Sequence, residues 1–176
     1  MKERLKTAVL VLIVAALAAG WFWYYRPADI YTLSPDLDPV LISISILRNG
    51  GGADLQDRSL RLEAGDEGFD EVLAEIEALR FRRPPTNLLF QAFPFLTEIG
   101  TRTYPIDGYD YHIYIGLANE DSTIWDGDIS YVLGSWEYRD YDHSVSLPLT
   151  MKDGQAVGKS LGDEWWQIAQ ANDSDL

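Results

Sequence analysis

The chain has 176 residues, 14 Lys and Arg against 28 Asp and Glu, a formal net charge of −14 and no cysteine. At 47% hydrophobic and 24% charged it can build a real core, and it is too apolar to be disordered throughout. The acidity argues against nucleic acid as a partner, which requires a basic face. The missing cysteine excludes disulfides, thiolate metal sites, a Cys nucleophile and a lipid-modified cysteine.

Lys2, Arg4 and Lys6 open the chain, and Thr7 to Tyr25 then run without a charge. A helix of that length spans about 28 Å, close to the hydrocarbon thickness of a bilayer. Residues such as Ala8, Leu12 and Val14 make it apolar all round rather than striped, so it predicts a transmembrane anchor over 7–25. Trp21, Phe22, Trp23, Tyr24 and Tyr25 close it with rings that suit the headgroup region. The basic start places residues 1–6 in the cytoplasm and everything after Arg26 outside. Ala16-Leu17-Ala18 has the small-x-small form of a signal-peptidase site, so secretion after cleavage is the alternative.

Residues 26–39 include Pro27, Pro35 and Pro39 with Asp29, Asp36 and Asp38, which predicts an extended stalk. The charge divides here: residues 1–26 carry +3 and residues 27–176 carry −17. Such a domain should be repelled by anionic lipid and held away by its stalk.

The domain proper is expected over 40–170. Val40–Leu47 alternates, with Ile42, Ile44 and Ile46 on one face, and Ser59–Ala64 alternates with Leu60 and Leu62 inward, predicting a strand pair. Phe69, Val72, Leu73, Ile76 and Leu79 repeat at helical spacing and predict a helix over 68–82. Asp66 would be its N-cap, and Arg80, Arg82 and Arg83 would suit its negative end or hold an anion. Leu88–Ile99 predicts an edge strand interrupted by Pro94. Tyr111, Ile113, Ile115 and Leu117 share a strand face, and Asp126-Gly127 marks a hairpin. Gly134 marks a turn before a strand at 136–141, and Pro148 places a strand at 145–149 on an edge. Lys152–Gln155 reads as a turn, 163–170 as a short helix and 171–176 as a frayed tail. The class is α+β: a transmembrane helix, then an antiparallel sheet packed with one main helix. This layout resembles that of small membrane-anchored extracytoplasmic domains.

Chemistry-bearing patterns are sparse. Asp142, His143 and Ser144 are consecutive, so in extended chain their side chains diverge and form no relay. His112 and His143 lack the helical spacing of a zinc site. Asp121, Asp126 and Asp128, with Glu120, are candidates for Ca²⁺, and Asp128 with Glu137 for a glycosidase pair. No phosphate-binding or dinucleotide motif implies a cofactor. Trp125, Trp136 and Tyr138 are candidates for stacking on a sugar if they face water. The expectation is an interaction module without catalytic motif, held by the bilayer and facing a membrane or cell-wall partner. A glycan-binding domain using exposed Trp and Tyr, or a carboxylate-dependent hydrolase, are the alternatives.

Overall fold

A computed structural model describes residues 2–49, 55–84, 86–87, 93, 110–120, 122, 125–132, 134–140 and 145–173. Helix α1 (Lys2–Tyr25) is continuous, and within it Lys6–Tyr25 is long and apolar enough to cross a membrane, with mean hydropathy 2.0. No part of its most apolar stretch is buried by the rest of the chain, and Leu12, Val14, Trp21 and Trp23 are all exposed. A helix with no polar face and no protein cover leaves its whole apolar surface for another solvent.

The remainder is α+β, as its alternation predicts. Strands β1 (Leu41–Asn49), β2 (Leu55–Glu63), β3 (Tyr111–Ala118), β4 (Gly127–Val132), β5 (Ser135–Asp140) and β6 (Val145–Leu149) form one sheet in the order β2-β1-β3-β4-β5-β6. Every pairing is antiparallel. The period-2 pattern selects the buried face: Ile42, Ile44, Ile46, Leu60, Leu62, Ile113, Ile115, Leu117 and Ile129 all point into one core. At the β4–β5 hairpin Gly134 takes φ 75°, which is costly for a residue with a Cβ. β6 is an edge strand, the place that tolerates Pro148.

The core face is covered by α2 (Ile30–Leu33), α3 (Phe69–Ala78) and α4 (Gly154–Asp173), which add Ile30, Phe69, Val72, Ile76, Leu161, Trp165 and Ala169 to the same cluster. Three expectations change. The predicted stalk is folded: Ala28, Ile30 and Leu37 are buried, and Asp29 caps α2 by accepting from the Thr32 backbone at 2.9 Å. Three apolar side chains at that spacing outweigh the extending effect of its prolines. Asp29 stays below the ordinary carboxylate range, mainly because the Thr32 hydroxyl donates to it.

Helix α3 is shorter than its apolar pattern. It ends at Ala78 because Leu79 turns extended and carries Phe81 into a backbone pairing with Ala28, at 2.7 and 2.8 Å. Its N-cap is Gly68, while Asp66 instead accepts from the Glu63 backbone in the preceding turn. Helix α4 is the third change: it starts at Gly154, where a turn is predicted, and ends at Asp173, three residues past the predicted end. The predicted strand around Pro94 lies outside the described residues.

Candidate functional site

Of the three aromatic candidates for stacking on a sugar, Trp136 and Tyr138 face inward. The register aligns Ile46, Ile113, Tyr131, Trp136 and Leu149 in one row across five strands. Helix α4 crosses near this row on three glycines four residues apart, Gly154, Gly158 and Gly162. A Cβ built on them would lie 3.2 Å from Trp136, 2.5 Å from Tyr131 and 2.5 Å from Tyr111. Each ring therefore occupies the space where a side chain would stand.

Trp136 is 2% exposed, packs on Phe81 and Tyr131 at centroid distances of 5.6 and 5.2 Å, and donates its indole N–H to the Gly154 carbonyl at 3.0 Å. Tyr138 packs against the core, with its hydroxyl 3.0 Å from that of Ser34. Trp125 lies on the opposite face, its ring over Gly116. Trp136 and Tyr138 therefore offer no exposed platform together: the first is covered by α4 and its cross-strand neighbours, and the second packs on the core beside Ser34. Tyr111 hydrogen-bonds Asp163 at 2.6 Å, and burial first, then that bond, push its phenol up to about 12.

The other sheet face is polar. Ser45, Tyr114, Ser130, Glu137 and Pro148 form a row by register. Asp128 shares this face on the strand next to Glu137, offset by two residues, so the two are diagonal neighbours at about 7–8 Å between backbones. Burial alone pushes the Glu137 carboxyl above the ordinary range and holds His112 below it. The His112 Nε2 atom is buried with no hydrogen-bond partner among the described residues. His112 lies on β3 and Glu137 on β5 with β4 between them, so they form no acid–base pair.

These two groups predict opposite pH slopes. The folded state holds the Glu137 proton more tightly than the unfolded chain, so stability falls as pH rises from 4.5 through the raised folded value. The folded state resists protonating His112, so stability is lost as pH falls from 6.5 through the lowered folded value. Thermal melts across pH should show E137Q more stable than wild type near neutrality and equal to it in acid. An unchanged difference at all pH values would refute the burial account.

Asp126 is a turn residue. Its carboxylate accepts from the Asn119 backbone at 2.9 Å and its carbonyl from the Ser34 hydroxyl at 2.9 Å. Among the described residues no three His, Cys, Asp or Glu side chains gather as a metal site. Asp121 and the stretch Asp142, His143 and Ser144 lie outside the described residues.

A cleft that sequence patterning did not single out opens where β1 begins and β2 and β3 end. It has a volume of about 470 Å³ and is lined by Val40, Leu41, Ala64 and Ala118 with Glu63, Asn119, Glu120 and Ser122. Asn119 builds its wall: its side chain accepts from the Asp38 backbone at 2.7 Å and donates to the Asp36 carbonyl at 3.0 Å. Its lining mixes four apolar side chains with two carboxylates, Glu63 and Glu120. The meeting of Asn119 with the Pro/Asp segment is a tertiary event that no local window of sequence contains.

A second feature joins α1 to the domain. Arg26 lies over the Trp23 ring at 5.0 Å, and Arg83 lies over the Tyr24 ring at 5.2 Å. No family model matches this chain, and neither a curated protein nor a solved structure is found to resemble it.

Proposed function

We propose that the protein is a single-pass, membrane-anchored interaction module, its N-terminus cytoplasmic and its acidic α+β domain outside, binding a partner rather than transforming a substrate. One observation carries the reading: a 20-residue apolar helix left bare by the fold and joined directly to a packed domain. The basic residues before the helix and the aromatic ones at its end give the orientation. The carboxylate-rimmed cleft is the proposed seat for a basic segment of a membrane or cell-wall partner.

The absence of native cysteine makes the test clean. Full-length chains carrying Lys2→Cys or Ser59→Cys would be expressed in bacteria and treated with a membrane-impermeant maleimide. Labelling of S59C in intact cells, and of K2C only after permeabilisation, is the expected result. Labelling in the reverse order would overturn the orientation. An intact mass lacking the residues through Ala18, or a carbonate-extractable protein, would overturn the anchor. Partners cross-linked to the wild type should be lost from the E63Q/E120Q double variant, and their retention would overturn the cleft.

A further inference from the structure

Most of this domain is acidic, yet its fold brings arginines to the place where the anchor ends. The Ala28–Phe81 pairing lays the segment after α3 beside the segment after α1. Arg26 and Arg82 are exposed and Arg83 is half-buried, and all three follow within a few residues of that pairing or precede it directly. The Arg82 backbone is fixed in turn to Thr150 at 2.7 and 2.9 Å.

The predicted helix-end role accounts for Arg80 alone. Its guanidinium donates to the carbonyls of Glu77 and Leu79 at the end of α3. Arg82 and Arg83 lie beyond that end, and neither is ion-paired to a carboxylate among the described residues. Two acidic groups next to these segments have other work: Asp29 caps α2 and faces Arg80, and Glu77 accepts from the Tyr31 hydroxyl. Arg26 and Arg83 lie over the Trp23 and Tyr24 rings, 5.0 and 5.2 Å from guanidinium carbon to ring centroid, which orders both side chains at the end of α1.

We propose that Arg26, Arg82 and Arg83 form a collar that binds the phosphates of anionic phospholipids in the leaflet the anchor exits, seating the domain on the membrane. The inference rests on the anchored reading above. It reverses the expectation that a domain of net −17 is held away from anionic lipid, because the charge is not spread evenly. The arginines sit at the bilayer end within reach of headgroups, and more distant carboxylates are screened over about 8 Å. An anionic surface strengthens association by about fivefold for each such arginine. Trp21 and Trp23, both exposed at this end of α1, supply the optical probe.

The test uses the full chain reconstituted in phosphatidylcholine vesicles. Tryptophan quenching is measured as either brominated phosphatidylcholine or brominated phosphatidylglycerol is introduced as a minor component. We expect the anionic lipid to quench with a relative association constant about fivefold or more above the zwitterionic one. That preference should shrink with added salt and be lost in the R82Q/R83Q variant. Equal quenching by both lipids would leave the anchor intact and overturn the collar. So would an anionic preference indifferent to salt, or one retained by a folded R82Q/R83Q. Quenching by neither lipid would show that the helix is not in the bilayer, and the anchored reading would fall together with the collar. Should R82Q/R83Q fail to fold, as judged by circular dichroism, the salt series on the wild type decides.

Discussion

Gly162→Leu is expected to lower the melting temperature of the detergent-solubilised protein by about 10 °C, the shift that about 3 kcal/mol gives in a chain of this size. The cause is contact. A Cβ at Gly162 would lie 2.5 Å from Cγ of Tyr111, the ring atom nearest the backbone, which cannot swing aside without moving β3. Gly162→Ala sets two effects against each other. Alanine favours the helix by about 1 kcal/mol, and overpacking a tight core costs about 1–3 kcal/mol. The rigidity of the Tyr111 base decides for a net loss. At Gly158 the nearest atom is Cζ of Tyr131, the tip of its ring, and at Gly154 the nearest contact is a looser 3.2 Å. The order of damage for alanine should therefore be Gly162, then Gly158, then Gly154. Ser160→Ala, on the exposed side of the same helix, should change little. Shortening Tyr111 to Ala in the G162L background should recover part of the loss, a coupling that calorimetry on the four proteins would measure. A G162L protein that melts with the wild type would mean that α4 does not rest on this seam.

The same seam explains why the first half of α4 was illegible in sequence, where only 163–170 reads as a helix. Helix prediction rewards strong formers and penalises glycine, and Gly154, Gly158 and Gly162 sit at positions the pattern would need to be apolar. Their aromatic partners lie in three different strands, so no local window contains the compensation. Strand alternation, by contrast, is local. Ile42, Ile44 and Ile46, and Tyr111, Ile113, Ile115 and Leu117, announce both their strands and the face they bury, and the structure places all seven in the core. Trp136 and Tyr138 were legible as one face of a strand, but which face would be buried depended on where α4 and the segment before β1 settle. Of the candidate site, the charges of Glu63 and Glu120 were visible and the cleft was not, since it arises from Asn119 clamping residues more than eighty positions away. The apolar helix α1 was the most legible element, because being long and apolar enough to cross a membrane is a property of composition and length alone.

Ile30→Ala separates a folded segment from a tether most sharply. On an extended stalk Ile30 would be exposed, and its truncation would cost nothing measurable. In the structure it is fully buried on α2, with its Cδ1 against Gly127 at the start of β4, so the change should cost about 2–4 kcal/mol. The neighbouring residues give graded controls. Asp29→Ala removes the cap of α2 and should cost about 1 kcal/mol. Ser34→Ala removes hydrogen bonds to the Asp126 carbonyl and the Tyr138 hydroxyl in a buried setting, for about 1–3 kcal/mol. Pro35→Ala, at an exposed position, should be close to neutral. Urea unfolding of the four variants should reproduce that ranking with Ile30→Ala the largest, and four flat results would restore the tether. The outcome bears on function as well as on fold. If residues 28–37 are part of the core, no flexible spacer separates α1 from the sheet. On the proposed anchored reading, the distance and orientation of the cleft relative to the bilayer are then set by the same packing that brings Arg82 and Arg83 to the end of α1. A partner reaching Glu63 and Glu120 would meet them at a height fixed by the fold.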